Sequence, residues 1–179
     1  MKITVITSSP RKNGTTALLA DEFIRGAVEA GHDVFRFDAA FEKIAPCTAC
    51  ERCGLGKAKC VQNDSMEKLN PKLLTAECIV FVTPLYYFGM SAQLKTVIDR
   101  FYGNNSNLAG GGRKTILMAA AYDTDKKSMK ALADHYKTII EYLNWEDKGI
   151  LLATGCGERS DIEKTNFPEQ AYKIGRNLK

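Results

Sequence analysis

The stretch ITVITSSPRKNGTTALLADEFIRGAVEAG, residues 3–31, contains a complete unit of strand, loop and helix, and the rest of the chain repeats its pattern. Ile3 to Thr7 is a continuous run of β-branched residues, which favours a buried strand. From Thr16 to Ala30 apolar side chains recur at the spacing of one helix face, and Gly31 predicts the end of that helix. The polar segment between the two elements is therefore a strand-to-helix loop.

The same alternation continues along the chain. We predict further strands at Asp33–Phe37, Cys78–Thr83, Thr115–Ala121 and Gly149–Ala153, and helices at Asp64–Leu74, Ser91–Tyr102, Lys126–Leu143 and Pro168–Leu178. Asp64 followed by Glu67 predicts a capping box at the start of its helix. Apolar strands separated by helices are typical of a parallel sheet covered on both faces. No linker or repeat interrupts the pattern, so we predict a single domain, residues 1–179, with a cysteine-rich loop inserted at about residues 39–63.

The first loop, Ser8 to Thr16, combines hydroxyl groups, backbone amides and cations at a helix N-terminus. A phosphate bound there would meet N–H groups, the positive end of the helix dipole and the guanidinium of Arg11. The loop has neither the dinucleotide-binding nor the P-loop glycine spacing. A polar turn with a Ser or Thr helix cap is the alternative interpretation.

The loop Thr83 to Met90 contains three consecutive aromatic residues, Tyr86, Tyr87 and Phe88, at the end of a predicted strand. In a parallel sheet the loops that follow the strands lie on one rim, so this loop and the first should be neighbours. Exposed aromatic rings at this position suit a flat ligand such as a flavin ring. Alternatively, the rings pack beneath the loop or against another subunit.

Four of the chain's six cysteines, Cys47, Cys50, Cys53 and Cys60, form the pattern C-x2-C-x2-C-x6-C. A chain of 179 residues can build its own core, and the sequence opens with no signal peptide, so we expect reduced thiols and a cytoplasmic protein. Closely spaced thiols indicate a metal or redox site. An iron-sulfur cluster, zinc, or a loop whose thiols pair or stay free all fit this spacing.

Composition argues against two classes of partner. The chain is 45% apolar and 26% charged, and its net charge of +4 comes from 25 basic and 21 acidic residues interleaved along the sequence. No apolar run reaches the roughly 18 residues of a membrane span. No basic stripe of the kind that binds phosphate backbones is present. We expect neither a membrane nor a nucleic acid as partner.

The remaining reactive residue types do not form a catalytic constellation. Cys78 is expected to be a small buried apolar residue, whereas Cys156 lies in a glycine-rich loop where it could be exposed. His32 and His135 are interpreted as polar surface residues. Trp145 is interpreted as a packing or subunit anchor. No catalytic side chain is predicted.

Three segments carry a resemblance to a known family. SSPRKNGTT, the cysteine run followed by Asn63 to Met66, and TPLYYFGMSAQLKTVIDR resemble the flavodoxin-like NADPH-dependent FMN reductases, and among them the iron-sulfur flavoproteins. The similarity is strong from Met1 to about Arg100 and weaker in GCGERSDIEK, from Gly155. It implies a flavodoxin-like three-layer, doubly wound α/β sandwich with a five-stranded parallel sheet of order 2-1-3-4-5 and helices on both faces.

The resemblance also implies binding sites, with FMN itself carrying the chemistry. The implied phosphate contacts are Ser9, Arg11, Asn13, Thr15 and Thr16. The implied ring contacts are Pro84, Leu85, Tyr86, Tyr87, Phe88 and Gly89, with Tyr122 at the flavin edge. The implied ligands of a [4Fe-4S] cluster are Cys47, Cys50, Cys53 and Cys60. Ser8 and Thr15 replace residues that are usually glycine and asparagine in the family, and both keep a hydrogen-bond donor.

These expectations describe a flavoprotein oxidoreductase that passes electrons through FMN to an acceptor. Its donor would be NADPH or NADH, or a reduced ferredoxin-like carrier, and its expected assembly is a homodimer or homotetramer. The alternative is a flavin- and thiol-based redox-sensing module, or a metal-binding module, without turnover.

Overall fold

A computed structural model describes the whole chain, residues 1–179. Its strands are β1 Lys2–Thr7, β2 Asp33–Asp38, β3 Cys78–Tyr86, β4 Gly89–Met90, β5 Lys114–Ala120 and β6 Glu146–Ala153. Five of them form a parallel sheet in the order β2-β1-β3-β5-β6, and β4 pairs antiparallel with the end of β3. Counted without β4, the order is the predicted 2-1-3-4-5. The flavodoxin-like α/β fold predicted from the sequence is confirmed.

Helices cover both faces of the sheet. They are α1 Thr15–Glu29, α2 Met66–Thr75, α3 Ala92–Asp99, α4 Asn105–Leu108, α5 Lys130–Leu143, α6 Arg159–Ile162 and α7 Phe167–Asn177. Because successive strand side chains point to opposite faces, Val5 packs in the apolar cluster under α1 and α7, and Ile6 packs in the cluster under α2 and α5. No helix combines the length and apolar character that spanning a membrane would need.

Several predicted boundaries differ from the structure by a few residues, and two of these differences bear on the site. Strand β3 continues to Tyr86, because Leu85 and Tyr86 pair with Met90 and Gly89 in a short hairpin. The predicted capping box is wrong: α2 begins at Met66 and its N-cap residue, Ser65, makes no side-chain cap, although the carboxylate of Asp64 accepts from the amide of Met66 at 3.0 Å. The carboxylate of Asp64 instead accepts hydrogen bonds from several segments of the chain, described below.

Helices α1 and α7 pack very closely at two glycines. A Cβ atom on Gly26 would overlap the carbonyl oxygen of Tyr172, and one on Gly175 would overlap that of Phe23. Glycine usually weakens a helix interior. Here it allows the two helix backbones to touch, so both positions exclude larger residues.

Several isolated residues have structural roles. Trp145 is buried, as predicted for a packing anchor, and its Nε1 donates to the carbonyl of Leu108 at 2.8 Å. Burial raises the pKa of the Cys78 thiol to about 12, which fits an inert core residue. The expectation that Cys156 could be exposed is wrong, since it is buried. His32 contacts the N-terminal ammonium at 3.1 Å and the carbonyl of Leu178 at 3.0 Å.

Candidate functional site

The loop after β1 delivers an uncapped helix end to the rim of the sheet. Helix α1 starts at Thr15, and its N-cap residue is Gly14, which has no side chain to cap the first amides. The alternative of a turn with a Ser or Thr side-chain cap is therefore wrong. A Cβ atom on Gly14 would lie 3.1 Å from Cβ of Arg11, so the turn is tight and suits glycine. The free N–H groups of the first helical turn make this end attractive to an anion.

The five predicted phosphate contacts gather around this helix end. Thr16 is buried, Ser9 and Thr15 are half-buried, and Arg11 and Asn13 are exposed. A guanidinium nitrogen of Arg11 contacts Glu158 at 3.1 Å, with 62% and 71% of the two side chains exposed. Such an exposed pair contributes only about 0–1 kcal/mol. The guanidinium of Arg11 is therefore available to a competing anion.

Buried hydroxyl residues fix the first loop against the loop after β3. The amide of Ser8 donates to the carbonyl of Val82 at 3.1 Å, and its hydroxyl donates to the same oxygen at 3.3 Å. Ser91 donates its hydroxyl to the carbonyl of Ser8 at 3.4 Å and its amide to the hydroxyl of Thr83 at 3.0 Å. The two loops thus form one hydrogen-bonded unit. The hydroxyl of Ser8 keeps a donor, as predicted, but it donates to β3 within the sheet.

The aromatic residues form a strained, exposed hairpin turn between β3 and β4. Tyr87 and Phe88 have φ angles of 45° and 64°, so both occupy the left-handed region. This two-residue turn type normally carries Asn-Gly, because the left-handed region costs about 1–2 kcal/mol for other residues. Tyr87 is 100% exposed and Phe88 is 60% exposed, so these rings do not pack beneath the loop. Tyr86 is also exposed.

The other predicted ring contacts surround this turn. Pro84, Leu85 and Gly89 are half-buried beside it. Across the rim, Tyr122 is 86% exposed and follows β5. Its ring lies against Gly157, where a Cβ atom would overlap it. Aromatic side chains from two separate loops thus lie on the same rim as the loop after β1, residues 8–16, which is called the anion-type loop below.

The loop after β6 completes this rim, and sequence reasoning gave it no role in the site. The amide of Cys156 donates to the carbonyl of Ala121 at 2.7 Å, and that of Gly155 donates to Asp123 at 2.8 Å. The carbonyl of Gly157 accepts from Arg11 at 3.3 Å. A glycine-rich segment directly after a buried strand was the signal that could have placed this loop on the rim.

The cysteine loop brings its four thiols to one small cavity. Cys47 and Cys50 are exposed, Cys60 is half-buried and Cys53 is buried, and all four are free thiols. The cavity that all four line has a volume of about 20 Å³, close to the space for one water molecule. No three metal-type ligands in the chain lie close enough together to hold a metal ion. In this conformation the loop does not accommodate a four-iron cluster.

A buried arginine holds the cysteine loop in place. Arg100 donates to Asp64 at 2.5 Å, to the carbonyl of Ala45 at 2.9 Å and to Gln62 at 3.2 Å, and lies 3.5 Å from the sulfur of Cys60. The side chains of Arg100 and Asp64 are only 3% and 11% exposed. Burial opposes ionisation of Asp64, but hydrogen bonds from Arg100 and two backbone amides outweigh it and lower the pKa of the carboxyl.

The backbone of the same loop is strained. Ala49, Glu51 and Leu55 have φ angles of 51°, 57° and 59°, in the left-handed region that glycine prefers. Of the thiols, Cys50 has a lowered pKa, because the backbone amide of Arg52 and the hydroxyl of Thr48 stabilise its thiolate. The loop is thus an ordered segment that stores strain and exposes a thiol inclined to ionise.

Comparisons relate this chain to known proteins. The sequence model of the family described as NADPH-dependent FMN reductase matches residues 1–149. An iron-sulfur flavoprotein of Archaeoglobus fulgidus is 35% identical over 112 residues, covering 62% of this chain and 50% of the relative. An iron-sulfur flavoprotein of Clostridioides difficile is 25% identical over 167 residues, covering 92% of this chain and 72% of the relative.

The chain spans about half the length of the first curated relatives that it matches. Among solved structures, an NAD(P)H:quinone oxidoreductase from Methanothermobacter marburgensis superimposes with a TM-score of 0.75 at 19% identity, covering 99% of this chain and 95% of that one. At this identity the likeness supports the fold alone.

Proposed function

Because this chain belongs to the NADPH-dependent FMN reductase family, we propose that it is an FMN-dependent oxidoreductase that takes electrons from NADPH or NADH and passes them to an acceptor. One observation carries the proposal. The anion-type loop at α1 and the aromatic hairpin are tied together through Ser91 and Ser8 on one rim. A fixed anion site beside aromatic rings suits a ligand with a phosphate at one end and a flat ring at the other, which describes FMN.

The chain's own residues bind and orient this ligand. The free amides of Thr15 and Thr16, the hydroxyl of Ser9 and the side chain of Asn13 would hold the phosphate, and Arg11 would exchange Glu158 for it. The residues Pro84 to Gly89 and Tyr122 would flank the ring. FMN supplies the electron-transfer chemistry when bound. The exposure of the hairpin leaves one side of the rim open to a nicotinamide ring.

The phosphate assignment is tested by comparing the affinities of FMN and riboflavin, which differ by the phosphate. Wild-type protein should bind FMN more tightly than riboflavin. Arg11→Gln should weaken FMN binding by about tenfold or more, since a charge-assisted hydrogen bond contributes about 1.5–3 kcal/mol, and should leave riboflavin binding unchanged.

The matched control for this test is Arg25→Gln. Arg25 is an exposed arginine on the same helix that pairs with Glu22 and Glu29, away from the rim. This change should leave the affinities for both flavins unchanged. Equal affinities for FMN and riboflavin in the wild-type protein would contradict the phosphate site.

A [4Fe-4S] cluster on Cys47, Cys50, Cys53 and Cys60 is the second part of the proposal. It is supported by the names of the relatives, which are iron-sulfur flavoproteins, and by the position of the four thiols around one cavity. The loop would have to open to hold a cluster, and its strained residues make another conformation accessible.

Metal analysis of anaerobically purified protein tests this part. About four irons per chain would support the cluster. Zinc without iron would replace it by a four-thiolate zinc site. FMN without either metal would leave a reductase with a free thiol loop.

The proposal also includes a homodimer or homotetramer, in which a neighbour could cover the exposed hairpin, and a cytoplasmic location, where the six free thiols would stay reduced. A ferredoxin-like donor remains the alternative to a nicotinamide nucleotide. Steady NADPH oxidation by FMN-loaded protein would exclude a redox-sensing module without turnover.

A further inference from the structure

A second, larger cavity lies at the carboxyl end of the edge strand β2. Its volume is about 590 Å³, within the range of about 300–1,000 Å³ that is typical of small-molecule sites. Its lining includes Lys12 of the first loop, Phe41 and Glu42 after β2, and Lys68 of α2. It shares no lining residue with the aromatic hairpin or with the cysteine cavity. It therefore opens beside the proposed phosphate loop as a separate site.

An aromatic face is available in this cavity. Phe41 is about half exposed, and the ammonium of Lys12 lies 5.2 Å from the centre of its ring. No carboxylate lies within ion-pair distance of Lys12. An exposed contact between a cation and a ring is weak. A flat ligand ring could displace the ammonium from Phe41 and leave it free to bind an anionic group.

Polar groups of two kinds surround this ring. Oδ1 of Asp38 accepts from the hydroxyl of Thr7 at 2.5 Å and from Nε of Arg36 at 2.9 Å, which fixes the carboxylate and leaves Oδ2 free to accept from a ligand hydroxyl. The exposed ammonium of Lys68 contacts both carboxylate oxygens of the half-buried Glu42, at 3.1 and 2.9 Å, and a ligand anion would compete with Glu42 for it. A flat face, a fixed acceptor and two ammonium groups match the base, sugar and phosphate of a nucleotide.

We propose that this cavity binds the adenosine phosphate end of the nicotinamide donor, an assignment that rests on the proposed function. Strands β2 and β3 are separated by β1 alone, which places them roughly 10 Å apart. Thr7 is level with both Asp38 and Val82, and β3 continues from Val82 to Tyr86, so the hairpin lies roughly 15–20 Å from the cavity. A dinucleotide spans this distance, with its nicotinamide end reaching the hairpin. Two lysines in the cavity favour a donor with an additional phosphate, so NADPH binds more tightly than NADH.

Calorimetric titration with 2′,5′-ADP, which lacks the nicotinamide, tests the assignment on FMN-loaded protein. The wild type should bind it, and Phe41→Leu and Lys68→Gln should each bind at least about fivefold more weakly. The KM for NADPH should rise by a similar factor with kcat unchanged. The control is Lys137→Gln: Lys137 is an exposed lysine of α5 and does not line the cavity.

The control should bind 2′,5′-ADP like the wild type. Absence of binding, or equal binding by all four proteins, would overturn the assignment. FMN binding to the same samples separates this failure from that of the proposed function: FMN-loaded protein that oxidises NADPH with an unchanged KM in both variants refutes the cavity alone. If the protein binds 2′,5′-ADP but transfers no electrons from NADPH to FMN, then NADPH is not its electron donor. In that case the assignment of the cavity to the donor is also wrong.

Discussion

Replacing Tyr87 by Asn and Phe88 by Gly in the hairpin turn should stabilise the FMN-free protein and weaken its binding of FMN. Both residues have left-handed backbone conformations, with φ angles of 45° and 64°. The double variant places Asn-Gly, the residues that this turn type favours, in the same positions. Stability and ligand affinity should therefore change in opposite directions.

The size of the stability change follows from the backbone. Left-handed conformation costs about 1–2 kcal/mol for each non-glycine residue, so the turn stores about 2–4 kcal/mol. Asn keeps part of that cost, and Gly adds about 0.5–1 kcal/mol of freedom to the unfolded chain. The lost side chains are exposed, so little packing is removed. The free energy of unfolding should rise by about 1–2 kcal/mol.

Urea unfolding of flavin-free protein measures this change as a higher midpoint with an unchanged slope. Flavin fluorescence quenching measures the affinity for FMN. Loss of stacking on aromatic rings removes about 1–3 kcal/mol, so the Kd for FMN should rise by about tenfold.

Leu55→Gly is the matched control, because Leu55 is also exposed and left-handed, with φ of 59°, but lies in the cysteine loop. It should leave the Kd for FMN unchanged. A double variant no more stable than the wild type would refute the strain argument. Increased stability with an unchanged Kd for FMN would show that the hairpin does not contact the flavin ring.

Three further predictions concern the scaffold. Arg100→Gln should lower the free energy of unfolding by about 3–5 kcal/mol, because it leaves the buried carboxylate of Asp64 without its partner. A loss below about 1 kcal/mol in urea unfolding would show that Arg100 does not hold the cysteine loop in place. The folded pKa of Asp64 is lowered, so the stability it contributes is complete above its unfolded pKa and is lost as the pH falls through the folded pKa. Asp64→Asn should therefore lower the free energy of unfolding most near neutral pH, and the loss should shrink below about pH 4. A loss that does not change with pH would argue against this ion pair. Gly175→Ala should destabilise the protein by about 1–3 kcal/mol, because its Cβ atom would overlap the carbonyl of Phe23. An unchanged midpoint temperature of thermal unfolding would show that α1 and α7 can move apart without loss of stability.

Local patterns were sufficient for the elements of the sheet and for the position of its loops. The β-branched run at Ile3 to Thr7 and the apolar run from Cys78 form buried parallel strands, as predicted. Because parallel strands place their following loops on one rim, the proximity of the first loop to the aromatic loop also followed from sequence. The periodicity of apolar residues thus predicts the strands, and the topology of a parallel sheet predicts which loops are neighbours.

Features that depend on distant partners did not follow from the sequence. Asp64 resembles a helix cap locally, yet its carboxylate pairs with Arg100, which is 36 positions away. Strand β4 was missed because Tyr87 and Phe88 lack the usual residues of a tight hairpin turn. The cysteine spacing identifies four thiols that share a cavity, but spacing alone determines neither their conformation nor their ligand.

Anaerobic absorption spectroscopy of FMN-loaded protein during addition of NADPH tests the central claim most directly. We predict that one molecule of FMN binds per chain and that NADPH bleaches its visible absorption. Adding an electron acceptor should then restore that absorption. Protein that binds no FMN, or bound FMN that stays oxidised in excess NADPH and NADH, would contradict the proposed function.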